Sequence, residues 1–446
     1  MAGDEVMQIP TRGHLWPLIA VLGAGGLAAV MVAVLTTGSG GPAPRRPVFA
    51  AGAGGPAAAV RHDASAARTS AADLAIRLQA MLGQHSVLAA DVMRSRIRGD
   101  DDFVQAANSA LGKNTDDMTA LVGQLFGDAA ATKFGPLWAQ HIVELVAYAS
   151  GLANQDDNAK AQARTTLVTD ENDLARFFAS ASQGRLPVSA ARAAVAMHVD
   201  HLTQQADAYA AGDYVKSDRL YRQAFEHTYD LGLALAGALL PAADTATLQE
   251  PIWRLRSQLG RLLAEHAVLI EDVTRAAVSK SPDFTAAGTM INANTQDLAA
   301  AIDTLFGPAA AKSFQSLWAA HVEQLVEYSA ATAARDTGRQ DRARARLKGF
   351  EGQMAAFLNG ATAKRMSTPD LDAALQDHDQ MLMRHADAYG AMDYKTAHDI
   401  AYETYDHMFE LARQLSDAFG ASVAARLPRG GAQTGYGGLA GLVGGL

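Results

Sequence analysis

Polar residues set in apolar helical stripes return after about 180 positions along this 446-residue chain. Leu137-Trp138-Ala139-Gln140-His141 returns as Leu317-Trp318-Ala319-Ala320-His321. His198 returns as His378, His227 as His407, and His85 as His266, one residue out of register. Asn114-Thr115 returns as Asn294-Thr295, and Glu171 as Glu351. A repeat of this length is domain-sized, so the chain is a tandem of two similar units and not a short-period solenoid.

Within each unit the apolar residues recur at i, i+3, i+4 and i+7, with no convincing run of period two. The pattern predicts an all-α fold of two tandem up-and-down helical bundles, repeat 1 over 73–240 and repeat 2 over 249–420. In repeat 1 the helices are expected near 73–98, 101–125, 128–155, 158–183, 188–210 and 213–238. Gly127 and Gly307 suit the position that ends the second helix. Asp213 and Asp393 suit the cap that opens the sixth. Short connections imply antiparallel neighbours, either as a six-helix bundle or as four helices with two flanking ones.

The ends of the chain differ from this core. No Lys, Arg, Asp or Glu occurs from Gly13 to Gly41. The apolar stretch Leu15 to Leu35 reaches roughly 30 Å as a helix, enough to cross a bilayer. It is longer than a cleavable signal's core and lacks the small-residue cleavage site directly after it. Residues 14–37 are therefore expected to be an uncleaved transmembrane signal anchor behind a cytoplasmic segment 1–13. An Ala/Gly/Pro linker, 38–72, follows, and the Gly-rich tail 427–446 is expected to be disordered. The expected location is the cell membrane, with one span and the bulk of the chain extracytoplasmic, where an envelope protein is a candidate partner. The formal net charge of -9, with no concentrated basic stripe, argues against nucleic acid as a partner. The chain has no cysteine, which excludes thiolate metal sites, iron–sulfur clusters and a lipid-anchoring cysteine.

The histidines carry the chemistry. His85, His141, His198 and His227 each belong to the apolar stripe of a different helix, as do His266, His321, His378 and His407. Hairpin geometry levels them: His198 and His227 stand 13 and 14 residues from the same turn, a rise of roughly 20 Å each. Similar counts place Asn114, His141, Glu171 and His85 in the same mid-bundle belt, with Asn294 and Glu351 repeating it. Neutral imidazoles with a carboxylate suit copper, iron or zinc, and bundle cores commonly hold such ions. Two facing imidazoles would also suit haem iron. The competing expectation is a buried hydrogen-bonded network that serves stability alone, in an envelope scaffold. No phosphate loop, zinc-protease motif or nucleophile elbow is present, so no enzyme activity is expected.

The Leu-Phe-Gly…Phe…Leu-Trp-x-x-His…Leu-Val-x-Tyr pattern at 125–148 and 305–328, preceded by Asn-Thr-x-Asp, resembles a poorly characterised group of exported helical proteins of Gram-positive and actinobacterial genomes. The resemblance covers both repeats. It implies a helical fold and export, and no chemistry. The histidine content is also similar to haemerythrin-like bundles, but the spacings do not match their motifs.

Overall fold

The computed structural model describes residues 70–240 and 242–426, which belong to one compact unit. All regular structure among these residues is helical. Repeat 1 contains α1 (Ala71–Arg98), α2 (Asp101–Phe126), α3 (Asp128–Ala153), α4 (Asp157–Ala181), α5 (Val188–Ala210) and α6 (Tyr214–Leu239). A helical turn, Ala242–Thr245, and a 3₁₀ turn, Ala246–Gln249, lead into repeat 2. That repeat contains α7 (Pro251–Ser279), α8 (Phe284–Phe306), α9 (Pro308–Ala334), α10 (Thr337–Ala361), α11 (Thr368–Gly390) and α12 (Tyr394–Arg426).

Local chemistry sets these boundaries. The Asp100, Asp156 and Asp213 carboxylates each accept a hydrogen bond from a backbone N–H of the turn they cap. Asp393 does the same at α12, through Thr396 N. Gly127 and Gly307 break the second hairpin of each repeat at φ +85° and +86°, a region that favours glycine. Helix α1 begins at Ala71, so the last two residues of the expected linker are helical. Helix α12 continues six residues beyond 420. No described helix is long and apolar enough to cross a membrane. The expected anchor at 14–37, most of the linker and the Gly-rich tail lie outside the described residues.

The two repeats are not six equal staves. Helix α1 packs against α2, α3, α5 and α6 of its own repeat, and α7 packs against α8, α9, α11 and α12. From Leu82 to Ser95 of α1, only Asp91 is not fully buried. From Leu262 to Ala276 of α7, only Glu271 is not fully buried. Each first helix is thus the axis of its bundle. Gly232 of α6 lets that helix lie against α1: a Cβ there would stand 2.5 Å from Gln79 Cα. Across the repeats, α2 packs on α12 and α6 on α8, contacts that interchange when the repeats are swapped. One apolar core runs through both, from Leu82 and Trp138 to Trp318 and Phe419.

Candidate metal centre

The axial helices present the first ligand of each site. His85 on α1 meets His141 on α3 and His198 on α5. Their ring centroids are 5.6, 5.3 and 5.3 Å apart. In repeat 2, His266 on α7 meets His321 on α9 and His378 on α11, at 5.4, 5.6 and 5.7 Å. In each triad, one ring nitrogen per histidine lies within 4.8 Å of the other two. Two imidazoles bound tetrahedrally to an ion at about 2.0–2.1 Å place their nitrogens about 3.3–3.4 Å apart. His321 Nε2 and His266 Nε2 are 3.4 Å apart.

All six rings are at most 3% exposed. Burial holds each imidazole below its usual range: His141 falls to about 4 and His266 to about 3, while His85, His198, His321 and His378 fall well below. The rings are therefore neutral at neutral pH and keep the lone pairs that coordination needs. Trp138 backs the first triad, its ring 4.5 Å from His85 and stacked on Phe134. Trp318 backs the second, 4.7 Å from His266 and stacked on Phe314.

The two sites differ in how their nitrogens are satisfied. In repeat 1, both nitrogens of His85, His141 and His198 are buried without a hydrogen-bond partner. Buried polar groups are otherwise almost always paired, and an ion held by one nitrogen of each ring would take three of these six atoms. In repeat 2 a chain of contacts runs from Trp318 Nε1–H to His266 Nδ1 at 3.3 Å and from His266 to His321 at 3.4 Å. It ends with His321 Nδ1 standing 3.3 Å from the Asp379 carboxylate. The two groups are near without a hydrogen bond, and burial with the neighbouring Glu351 holds Asp379 well above the usual carboxylate range. On ionising, a carboxylate so placed would orient the other nitrogen toward a metal. The matching position in repeat 1 is Val199. His378 has both nitrogens unpartnered.

The other expected site residues lie outside the triads. His227 is half-buried, with Nε2 2.9 Å from the Ala194 carbonyl and its ring 5.5 Å from His201. His407 is half-buried and stacks on His378 at 6.4 Å. Asn114 Nδ2 donates to Met81 O and Gln84 Oε1, and Asn294 Nδ2 donates to Leu262 O and Glu265 Oε2. These amides tie the second helix of each repeat to its axis. Glu171 faces Arg164 at 3.9 Å, and burial raises its pKa. Burial likewise raises Glu351, which neighbours Asp379. Haem does not suit this arrangement. Two axial imidazoles need a porphyrin plane between them, and in each triad the third ring stands in that space.

Sequence periodicity did not single out Asp379. Its signal was present nonetheless: a carboxylate whose helical neighbours at i−4, i+3 and i+4 are Leu375, Leu382 and Met383. Comparison with protein-family profiles, with curated proteins and with solved structures finds no match.

Proposed function

We propose that each repeat binds one transition-metal ion, copper, iron or zinc, through His85, His141 and His198 in repeat 1 and His266, His321 and His378 in repeat 2. The observation that carries this reading is the set of six unpartnered ring nitrogens in the first triad. Three imidazoles fill three positions of a tetrahedral site, and the fourth falls to water or a further ligand. The ion supplies the positive charge that would satisfy the buried lone pairs. The role this reading supports is metal handling or sensing. The apolar stretch at 14–37 would anchor these bundles at the cell membrane, facing outward.

Repeat 2 supports a second reading. The chain Trp318–His266–His321, with Asp379 close behind it, pairs part of that triad without any ion. A stabilising polar network in an envelope scaffold has this form. Elemental analysis of the full-length protein separates the two. Two equivalents of metal per chain, reduced to one by His141→Ala or by His321→Ala, are expected. A chain free of metal, and unable to take up Zn(II), Cu(I) or Fe(II) after chelation, refutes metal binding. Retention of one equivalent that only His141→Ala removes assigns repeat 2 to the network.

A further inference from the structure

The repeats diverge where their axial helices meet the last two helices. In repeat 1, Arg94 is 1% exposed and fills a polar slot. Its Nε donates to Gln205 Oε1 at 2.9 Å, and its Nη2 lies 2.9 Å from Asp218 and 3.1 Å from Ser217 Oγ. The guanidinium also stands 4.7 Å over the Tyr221 ring. The matching arginine of repeat 2, Arg275, bonds Asp272 at 2.7 Å and Asp283 at 2.5 Å instead. The residues that match Gln205 and Asp218 are His385 and His398, and neither is paired with a guanidinium.

A cavity of about 50 Å³ occupies this region. Asp91, Glu271, His385, His398, Tyr389 and Tyr402 are among the residues that line it, together with Arg275, which is already engaged. Asp91 and Glu271 are the residues within the stretches 82–95 and 262–276 that are only partly buried.

The charged groups in and around the cavity are short of positive charge. Arg94, Arg98 and Arg275 stand among five carboxylates: Asp91, Asp218, Glu271, Asp272 and Asp283. Arg94 and Arg275 pair with Asp218, Asp272 and Asp283, Arg98 donates to Tyr209 Oη, and no ion pair reaches Asp91 or Glu271 among the described residues. Glu271 Oε1 is buried without a partner. His385, 6% exposed, has an unpartnered Nδ1. Burial pushes Asp91 up to about 7 and Glu271 higher than its usual range, with the neighbouring carboxylates adding to both. A cation between them would relieve this repulsion.

We propose that this cavity binds a small organic cation of the ammonium or guanidinium class, between Glu271 and Asp91, with His385 Nδ1 accepting one of its N–H bonds. The site would hold as a free ligand what repeat 1 holds as the side chain of Arg94. The size agrees: at roughly 10–15 Å³ per water-sized occupant, the volume takes about four heavy atoms, the number in guanidinium. Tyrosine rings beside a cation add to its affinity.

The test is calorimetric titration of the full-length protein with guanidinium and methylammonium chlorides at millimolar concentration. Urea serves as the neutral isostere and sodium chloride as the ionic-strength control. Saturable binding of the cations and none of urea is expected. Glu271→Gln should weaken binding at least tenfold, as loss of a charge-assisted bond does. The pair His385→Gln/His398→Asp rebuilds the arginine slot of repeat 1 and should abolish binding by drawing Arg275 into it. Equal heats for guanidinium and urea overturn the proposal. So does unchanged affinity in Glu271→Gln. Should that variant not fold, Asp91→Asn tests the same charge from the opposite wall, and unchanged affinity there overturns it too. None of these substitutions touches a triad histidine, so the outcome does not depend on metal binding.

Discussion

Replacing His198 by leucine should reverse its effect on stability when metal is added. In the metal-free protein, His198 is 3% exposed and neither ring nitrogen has a partner. Leaving a buried donor or acceptor unsatisfied costs about 1–3 kcal/mol. Leucine fills a similar space without polar atoms, so metal-free His198→Leu should be more stable than the native chain by about 1–3 kcal/mol. At a metal concentration of about one hundred times Kd, the native protein gains about 2.7 kcal/mol that the variant cannot. The order of the two denaturation midpoints then inverts or closes. His321→Leu is the control. It breaks the contacts to His266 and Asp379, and should destabilise the metal-free protein by about 1–3 kcal/mol. Urea denaturation followed by far-ultraviolet circular dichroism, with chelator and then with Zn(II), reads all of these. If His198→Leu loses as much metal-free stability as His321→Leu, the first triad is a satisfied network and the reasoning fails.

Three further outcomes are expected. Asp379→Asn should weaken metal binding in repeat 2 by about 10–100-fold and leave repeat 1 unchanged, as competition titration against a chromogenic chelator would show. His141 has a folded-state pKa near 4 against 6.5 when unfolded, so the unfolded chain takes up the proton first. Its contribution is present above pH 6.5 and is lost as pH falls toward 4. Between pH 7 and pH 5 the native protein should therefore lose about 2 kcal/mol relative to His141→Leu, measured as the difference between their unfolding free energies at each pH. Gly232→Ala should destabilise by about 1–3 kcal/mol, because the added methyl meets the α1 backbone at Gln79. A melting temperature equal to the native one would show that α6 can move away from α1.

Helix boundaries and the inward direction of the histidines were legible because both are local. Capping aspartates, the two hairpin glycines and the 3.6-residue period act within a few residues of one another. Position along the bundle axis was legible for the triads: counting from the turns put those six histidines at a common height, and their rings meet. Angular position was not. His227 is counted to the same height as His198, yet it turns to the Ala194 carbonyl and His201. Equal length on adjacent helices fixes height but leaves rotation about the axis to packing, which depends on residues far apart in sequence. For the same reason the burial of α1 on nearly every side was hidden. Its stripe reads as amphipathic, and partners from α2, α3, α5 and α6 cover the rest. Asp379 was missed because attention to what the repeats share passes over what only one of them has.

The interchange of contacts between α2 on α12 and α6 on α8 has a consequence for either half alone. A single repeat, separated from its sister, would carry both surfaces of that junction uncovered, and two copies would meet them in the same way. The linker from α6 to α7 thus makes a dimer of one polypeptide, with a local concentration set by tether length and not by expression level. Such a covalent dimer frees its halves from having to be identical, and the departures of Asp379 from Val199 and of His385 from Gln205 are changes that a self-associating single copy would have had to make on both sides at once.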